Sequence, residues 1–536
     1  MLGEASYYGR MMLGLYRLLR TRPPSDAEGL IRGQRAKRET TFLETARCVI
    51  FANPENPYHQ MFRLAGCRYE DLAEAVRREG LESTLAALHR QGVYLTHDEF
   101  KGRTPILRSG QHLPSDPDSF SNPLVSGLLE TQTSGSRSMG TRTRYSTEFS
   151  LYREAYSALS LQELGIAGRA HISLWPILPS EAGLTSCLVF LRLGQRVERW
   201  FAMGGALLNS AHYRALTNSM VLLARLMGTP VPFPVPLPPN DFAPVAEWIA
   251  RRRAEGDPCV VNTYVSPAVR VAAAAREKGL DIHGTVFRVT GEALTEAKRA
   301  AIEAAGAEVS CFYWISEVGP IGYSCRQMRT GNCVHLLDDS VAAITHRRRA
   351  PFSEVEVSSL LFTTLLPFAP HVLINAEMDD NGILERAHCD CVFSRAGFGT
   401  QIRDLFSFGK LTGQGMTLLG TDLVRILEEV LPARLGGHPG DYQLVEHEGQ
   451  FQTQLNLRVS PRTGLSSAEK VRDCFWGELR RFYGGTLAAR VWQHAEAVEV
   501  VVAEPLATAT GKVLPLHLLG PSTPRTGGQG ERRGGE

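Results

Sequence analysis

Residues 259–313, CVVNTYVSPAVRVAAAAREKGLDIHGTVFRVTGEALTEAKRAAIEAAGAEVSCFY, alternate short β-type runs with helical patterns. Ser266 and Pro267 offer an N-cap and a first helical residue, and Gly279 offers a stop signal. The expected strands lie at 259–264, 285–289 and 309–313, with helices between them, the second at 294–305. Such connections are right-handed and build a mostly parallel sheet with flanking helices, so the pattern predicts an α/β fold.

Two polar loops directly follow neighbouring strands of this unit. Gly291 and Glu292 come after the second strand, and Trp314, Ser316 and Glu317 come after the third. Ligands of parallel sheets bind at the carboxyl ends of the strands, so both loops are candidate binding loops. A carboxylate such as Glu317 beside phosphate donors can hold a magnesium ion, and a local cap or ion pair is the alternative.

The composition indicates a globular chain large enough for several lobes. Of its 536 residues, 43% are hydrophobic, and 58 basic side chains nearly balance 56 acidic ones. A dedicated nucleic-acid binder needs a clustered basic excess, so a net charge of +2 argues against that class. The arginine run at 347–349 is expected to be a solvated surface turn. Ten cysteines over this length indicate metal-ligand or core roles rather than a disulfide framework.

The N-terminal residues and the most apolar later stretch lack the patterns of a signal peptide and a membrane span. Arg10, Arg17 and Arg20 interrupt the N-terminal apolar residues, which predict an amphipathic helix instead. The later stretch, residues 360–376, is broken by Pro367 and Pro370. The sequence therefore predicts a cytoplasmic protein.

Composition and pattern divide the chain into four parts. We expect a helical N-terminal lobe at 1–110, a catalytic core at 111–410, a mobile C-terminal α+β domain at 411–520 and a disordered tail at 521–536. Glycines at 409, 413, 415 and 420 provide the density that a hinge requires. Expected elements are a helical segment at 69–95, a helix at 422–430, and strands at 442–446, 453–459 and 498–502.

A loop rich in hydroxyl groups and glycine follows an apolar strand candidate. Residues 131–143 read TQTSGSRSMGTRT, and a helix is expected to open near Ser146. The backbone N–H groups of such a loop can turn inward around a polyphosphate, and Arg137 or Arg142 can add charge. The loop lacks the Gly-Lys-Ser/Thr ending of a Walker loop, and a flexible surface loop is the alternative.

Taken in order, these stretches resemble the motifs of the acyl-adenylate-forming (AMP-dependent synthetase/ligase) superfamily. The ordered motifs are the phosphate loop at 133–136, Gly291 with Glu292, the stretch 313–317, the hinge near Lys410, and the stretch 510–512. The chain is most similar to the phenylacetate-CoA ligase branch and to the acyl-protein synthetases of bacterial luminescence. The resemblance implies a large multi-lobed N-terminal α/β domain, with an adenylate-forming core, a hinge and a small C-terminal α+β domain.

The resemblance also implies roles for individual residues. The phosphate loop would hold the β- and γ-phosphates of ATP through Thr133, Ser134, Gly135 and Ser136. Gly291 and Glu292 would border the adenine, and Tyr313 would stack on it. The ATP-binding set would therefore combine a phosphate loop with an adenine pocket.

The remaining implied roles concern ribose, magnesium and charge. Ser316 and Glu317 would face the α-phosphate and magnesium, and Asp380, with Asp379 close behind, would hold the ribose hydroxyls. Lys512 would stabilise charge as pyrophosphate leaves, although a solvated lysine is the alternative.

Several positions depart from the pattern of the superfamily. The phosphate loop ends in GTRT at 140–143 instead of Gly-x-Pro-Lys, and Trp314 replaces the glycine commonly found after the tyrosine. Lys410 is the best substitute for the usual arginine of the ribose and hinge region. Trp314 is expected to narrow or remodel the substrate pocket.

A separate set of soft ligands predicts a metal site. Cys325, His335, Cys389 and Cys391 are candidate ligands of a structural zinc, and some phenylacetate-CoA ligase relatives carry zinc in this region. Cys333 and His388 compete for these positions, and unligated cysteines are the alternative.

The expected function is ATP-dependent activation of a carboxylic acid to acyl-AMP, followed by thioester formation. The expected acceptor is coenzyme A, and aromatic residues such as Trp314 and Phe312 permit an aryl or arylacetic acid. The alternatives are an acyl-protein or carrier-protein synthetase and a non-catalytic nucleotide-binding relative. The oligomeric state stays open, with a homodimer as one alternative.

Overall fold

The structure is a computed structural model, and its secondary-structure description omits a set of segments. It covers residues 2–113, 115–125, 129–132, 142–204, 208, 210–328, 332–349, 356–407, 412–413, 416–417, 420–448, 453–465, 467–481, 498–508 and 510–519. Several sequence-based expectations lie outside these ranges: the phosphate-loop residues Thr133, Ser134, Gly135 and Ser136, then Arg137, Gly140, the hinge glycines Gly409 and Gly415, Lys410, and the tail 521–536.

The chain consists of two compact units. The larger unit is Met1–Gly409 together with Ala507–Val513, and the smaller unit is Lys410–Leu506 together with Leu514–Glu536. A short C-terminal segment carrying Lys512 therefore belongs to the larger unit.

Within the described ranges, the larger unit contains a twelve-stranded sheet in the order β13-β14-β15-β16-β12-β11-β10-β9-β8-β5-β6-β7. Its strands are β5 (Ala170–Leu174), β6 (Arg196–Ala202), β7 (Pro234–Pro236), β8 (Val260–Tyr264), β9 (Val286–Thr290), β10 (Glu308–Ile315), β11 (Gly319–Tyr323), β12 (Val334–Leu336), β13 (Val341–Arg349), β14 (Glu356–Thr364), β15 (Ala376–Arg386) and β16 (Thr400–Ser407). Neighbours from β7 to β10 pair in parallel, and those from β10 to β13 pair antiparallel. Two hairpins, β1 (Ile106–Arg108) with β2 (Gln111–Leu113) and β3 (Leu129–Gln132) with β4 (Arg142–Tyr145), lie outside this sheet.

Helices pack against the sheet and bury two separate apolar clusters with it. They are α1 (Leu2–Arg20), α2 (Ala27–Thr45), α3 (Pro57–Leu64), α4 (Tyr69–Glu79), α5 (Leu81–Arg90), α6 (His97–Phe100), α7 (Thr147–Leu164), α8 (Ala182–Arg192), α9 (Ala211–Leu226), α10 (Ala243–Ala254), α11 (Val265–Glu277), α12 (Glu296–Glu303) and α13 (Val392–Arg395). A π-helical turn, Ala46–Phe51, follows α2, and a 3-10 turn spans Pro117–Phe120. The predicted α/β class is confirmed.

The βαβαβ unit is present as β8, α11, β9, α12 and β10, with boundaries within three residues of the prediction. Its first helix begins at Val265 with Tyr264 as the N-cap, so the prediction that Ser266 caps the helix is wrong. The Ser266 hydroxyl instead donates a hydrogen bond to Glu292. The side chain thus joins two strand ends rather than capping a helix.

Two further expectations need correction. The segment 69–95 contains two helices, because Gly80 adopts a φ of +80° that ends α4 and starts α5. The arginines at 347–349 lie in β13 rather than in a surface turn. The N-terminal residues form the expected helix, α1, and α7 opens with Ser146 as its N-cap.

The smaller unit is an α+β sandwich of one sheet and helices. Its sheet has the order β21-β20-β19-β22, formed by β19 (Tyr442–Glu448), β20 (Thr453–Val459), β21 (Val498–Val502) and β22 (Leu516–Leu519), and a short hairpin pairs β17 (Thr412–Gly413) with β18 (Met416–Thr417). The helices are α14 (Gly420–Arg425), a π-helical turn at Ile426–Val430, α15 (Leu431–Leu435) and α16 (Ala468–Leu479), with a 3-10 turn at Pro461–Thr463. Leu444, Leu457 and Phe475 are fully buried in its core. Among the helices of the described ranges, none is long and apolar enough to cross a membrane.

Candidate functional site

Residues far apart in the sequence meet at the carboxyl ends of the parallel strands. The ammonium of Lys512 lies 4.5 Å from the ring centroid of Tyr264, the last residue of β8. A Cβ on Gly291, directly after β9, would lie 3.0 Å from the same Nζ. Gly291 also has a φ of +81°, and a Cβ there would lie 2.7 Å from Cδ1 of Tyr264, so both the backbone and the Tyr264 ring require glycine at this position. The structure therefore brings Lys512 next to Gly291, two residues that the resemblance assigns to one site.

Side chains and backbone of the larger unit hold the segment that carries Lys512. The backbone N–H of Val513 donates to the Ser266 hydroxyl at 3.0 Å, and the backbone N–H of Lys512 donates to the Thr508 hydroxyl at 3.1 Å. A Cβ on Gly511 would lie 2.9 Å from the sulfur of Met203, which follows β6. The segment thus lies across the carboxyl ends of β6, β8 and β9.

Glu292 is a partly buried acid beside this lysine. Its Oε2 accepts hydrogen bonds from the backbone N–H of Ser266, at 3.0 Å, and from the Ser266 hydroxyl. Burial raises the pKa of Glu292, and the positive charges of Lys298 and Lys512 together with the Ser266 hydrogen bonds offset part of that rise. The carboxyl group links the loops after β8 and β9 beside Lys512.

Tyr313 and Asp380 also meet, although 67 residues separate them. The Tyr313 hydroxyl donates to Asp380 Oδ2 at 2.5 Å. A β-bulge between Tyr313 and Trp314 changes the register of β10 with β11 at this point. Burial and the negative charge of Asp380 both raise the pKa of Tyr313, so the phenol stays protonated and keeps its donor. The two residues expected at adenine and ribose are therefore direct neighbours.

Glu317 is buried in the turn between β10 and β11 and forms an ion pair with Lys101. Burial alone would raise the pKa of Glu317, but the charge and hydrogen bond of Lys101 lower it overall. An ionised carboxylate is the ligand type that magnesium prefers, so Glu317 suits that role chemically, with the Lys101 ammonium as a competing cation. Sequence reasoning missed Lys101, which follows α6 in the N-terminal lobe, because no local pattern connects it to Glu317.

Ser316 lies beside the base of the predicted phosphate loop. The hydroxyl of Tyr145, the last residue of β4, donates to the Ser316 carbonyl at 3.0 Å. Strands β3 and β4 pair from Leu129 with Tyr145 to Gln132 with Arg142, so residues 133–141 connect the two strands of a hairpin. The hairpin base is thereby attached to the turn that carries Ser316 and Glu317.

The four predicted soft ligands converge on one point. The ligand atoms of Cys325, His335, Cys389 and Cys391 all lie within 4.8 Å of one another. The Sγ atoms of Cys389 and Cys391 are 3.6 Å apart, and His335 Nε2 lies 3.2 and 3.1 Å from them. A Zn–S bond of about 2.3 Å gives tetrahedral S···S edges of about 3.8 Å, so this arrangement suits zinc.

Neighbouring groups orient the ligands. The His335 Nδ1 lies 3.1 Å from the Phe398 carbonyl, which directs Nε2 toward the cysteines. The backbone N–H of Ser394 donates to Cys391 Sγ at 3.3 Å. Neither Cys333 nor His388 belongs to the ligand group found in the described ranges.

Comparisons with known proteins give no family assignment by sequence. No protein-family model matches the chain, and no curated protein matches it.

Similar solved structures include CoA ligases and synthetases bound to adenylates or ATP. The anthranilate CoA ligase AuaEII with anthranoyl-AMP aligns at a TM-score of 0.42 and 11% identity, over 72% of this chain and 64% of that chain. The O-succinylbenzoate coenzyme A synthetase (MenE) from Bacillus subtilis, with ATP and magnesium ion, aligns at 0.41 and 11% identity, over 87% and 92%. The ATP-bound RpMatB-BxBclM chimera B3 aligns at 0.41 and 12% identity, over 86% and 90%. Likeness at this level does not establish a shared activity.

Proposed function

We propose that this protein uses ATP to activate a carboxylic acid as an acyl-AMP and then transfers the acyl group to a thiol, with coenzyme A as the preferred acceptor. The observation that carries the proposal is the meeting of Lys512 with Gly291 and Glu292 at the carboxyl ends of β8 and β9. Lys512 is more than 200 positions away from Gly291 and Glu292 in the sequence, and parallel sheets bind ligands at this edge.

The residues at this edge suit the electrostatics of adenylation. Attack of a carboxylate on the α-phosphate brings two anions together, so a cation fixed at the reacting centre lowers the barrier. Lys512 supplies that cation, and its cation–π contact with the Tyr264 ring positions it. Tyr313 and Asp380, already hydrogen-bonded, would receive the adenosine part of ATP.

Magnesium would neutralise charge on the ATP phosphates, and Glu317 is the residue that would hold it. Glu317 keeps its negative charge through its pairing with Lys101. The phosphates would be bound by Thr133, Ser134, Gly135 and Ser136. In the sequence these residues follow β3, the strand that pairs with β4, and Tyr145 at the end of β4 contacts Ser316.

Aromatic side chains near Ser316 support an aryl or arylacetic acid as substrate. Phe149 stacks on Tyr145 with a centroid distance of 4.9 Å, and its ring meets Trp314 edge-on at 5.6 Å. Trp314 is the partly exposed ring of this group, and a flat apolar surface of this kind suits an aromatic acyl group.

The cysteine and histidine group would hold a structural zinc. Four protein ligands close a tetrahedral site and leave no position for substrate, so zinc here would stabilise the fold rather than take part in the reaction. The ligands come from three separate segments, which the metal would join.

Pyrophosphate release with a panel of aryl, arylacetic, short-chain and long-chain acids, with and without coenzyme A, tests the proposed function. The expected result is acid-dependent pyrophosphate release, with AMP release that increases when coenzyme A is added. Adenylation without any response to coenzyme A would favour a protein-bound thiol as acceptor. ATP binding without acid-dependent pyrophosphate release would show a non-catalytic nucleotide-binding protein.

A further inference from the structure

Lys101 places a positive charge directly on the carboxylate that would hold magnesium. Its Nζ lies 2.5 Å from Oε1 of Glu317. The pair is largely buried, with 17% of the Lys101 side chain and 8% of the Glu317 side chain exposed. Salt and water therefore screen this contact far less than they screen a surface ion pair. Lys101 does not belong to the residues that the resemblance assigns to the site.

The chain before Lys101 is attached to β15, the strand that carries Asp380. The backbone N–H of Leu95 donates to the Asn375 carbonyl at 3.2 Å, and the N–H of Glu377 donates to the Leu95 carbonyl at 2.9 Å. The chain thus enters α6, the short helix before Lys101, from a fixed point at the sheet.

Polar side chains hold α6 at its start. Thr96 and Glu99 form a capping box there. Glu99 also accepts two hydrogen bonds from the Arg108 guanidinium, at 2.7 and 2.9 Å, and both side chains are buried. The helix that precedes Lys101 is therefore anchored on two sides.

The turn that carries Glu317 is held against the same helix. Phe100, the last residue of α6, is buried, and its ring meets the His371 ring edge-on at 5.7 Å. The Nδ1 of His371 in turn lies 3.1 Å from the Glu317 carbonyl oxygen. Because the backbone is fixed at both ends of the ion pair, the ammonium would leave the carboxylate by rotation of the Lys101 side chain.

An ammonium and a divalent cation compete for one carboxylate. Both bind carboxylate oxygens, and two cations at one largely buried carboxylate repel each other. A triphosphate changes this balance, because its oxygens bind the metal and offer the ammonium other anionic partners. Cation binding at Glu317 should therefore be weak without the nucleotide and strong with it.

We propose that Lys101 occupies the cation position of Glu317 until ATP binds, so that the divalent cation enters together with the nucleotide and not before it. This inference rests on the magnesium role that the proposed function gives to Glu317, and it names a regulation of that site. Lys101 acts through Glu317 and is thus a positioning residue.

Manganese binding to the full chain tests the proposal without turnover. Mn²⁺ takes the same oxygen ligands as magnesium, and its free concentration is measured by electron paramagnetic resonance. The protein is loaded with zinc first, so that the cysteine and histidine group does not take up manganese. Without ATP, wild type should bind Mn²⁺ no more tightly than Glu317→Gln does. Wild type should bind more tightly than this variant once a non-hydrolysable ATP analogue is present.

Variants of Lys101 separate its charge from its other contacts. Lys101→Gln removes the charge and keeps a hydrogen-bond donor, and without ATP it should bind Mn²⁺ about 10- to 100-fold more tightly than wild type. Adding Glu317→Gln to this variant should abolish the gain. Lys101→Arg keeps the charge and should resemble wild type. Lys278→Gln, which breaks an exposed ion pair with Glu247, is the matched control and should also resemble wild type.

Three results would overturn the proposal. The first is equal Mn²⁺ affinity of wild type and folded Lys101→Gln. The second is ATP-independent Mn²⁺ binding by wild type that Glu317→Gln weakens, and the third is no difference between these two proteins with the ATP analogue. The second and third comparisons decide the matter even if Lys101→Gln does not fold.

Failure of this inference is distinguishable from failure of the proposed function. If acids support pyrophosphate release but Mn²⁺ affinity does not depend on Lys101, the proposed function stands and the role of Lys101 is wrong. If Lys101→Gln gains a manganese site at Glu317 but no acid supports pyrophosphate release, the competition at Glu317 stands and the proposed function is wrong.

Discussion

Replacing Lys512 with methionine removes its positive charge and keeps most of the side-chain length. The lysine ammonium lies 4.5 Å over the Tyr264 ring, beside Glu292, at the edge of the sheet where ligands bind. Loss of one preorganised group that stabilises transition-state charge typically costs about 10²- to 10³-fold in rate. We expect acyl-AMP formation by Lys512→Met to fall by about that factor.

The same substitution should have little effect on stability. The cation–π contact of the ammonium with Tyr264 is worth about 1 kcal/mol at a partly exposed site. In a chain of this size, such a loss moves the thermal midpoint by no more than about 2 °C. A large loss of activity with a nearly unchanged midpoint therefore distinguishes a chemical role from a structural one.

The assay is acid-dependent pyrophosphate release at saturating ATP, with thermal unfolding measured on the same preparations. Lys278→Met is the matched control, because Lys278 makes an exposed ion pair with Glu247 far from the strand ends. The control should retain full activity. Normal pyrophosphate release by Lys512→Met would refute the role assigned to this lysine.

Three further outcomes follow from the structure. Tyr264→Leu removes the ring under Lys512 and should slow acyl-AMP formation about 10-fold, whereas Tyr264→Phe keeps that ring and should stay within about 3-fold of wild type. Equal rates for Leu and Phe would contradict the positioning role. Purified protein should contain one zinc per chain by elemental analysis. Cys389→Ser should lose the zinc and lower the thermal midpoint, whereas Cys48→Ser, at an exposed position, should do neither. Zinc-free protein of unchanged stability would contradict the proposed metal site. Burial raises the pKa of Asp339 to about 7. Between about pH 4 and pH 7 the folded state therefore keeps a proton that the unfolded state releases. Raising the pH across this range should lower the free energy of unfolding by up to about 4 kcal/mol. Asp339→Asn should reduce that pH dependence in thermal-unfolding profiles, and identical profiles for variant and wild type would contradict it.

The parallel part of the fold could be predicted because its signals are local. Strand and helix patterns, together with stop signals such as Gly279, identify β8 to β10 within a few residues. The same local reasoning misplaced Ser266, because a serine before proline is a good N-cap and the sequence does not show that its hydroxyl bonds to Glu292. It also merged α4 with α5, because the apolar spacing continues across Gly80.

Some contacts within the candidate site could also be predicted from the sequence, and others could not. The resemblance assigned Lys512 and Gly291 to one predicted site, and the structure places the two residues together. The types and positions of Cys325, His335, Cys389 and Cys391, together with the resemblance, suggested the metal group. The pairing of Lys101 with Glu317 could not be inferred, because 216 residues separate them and nothing in either local sequence marks the other. Such pairs depend on how the N-terminal lobe packs on the sheet, which periodicity does not encode.

Exchange of labelled pyrophosphate into ATP, measured with and without a carboxylic acid, tests the central claim most directly. Exchange requires reversible formation of an acyl-AMP and does not depend on the thiol acceptor. The account predicts exchange only when a suitable acid is present, and its near-complete loss in Lys512→Met. Exchange without acid, or ATP binding with no exchange for any acid, would contradict it.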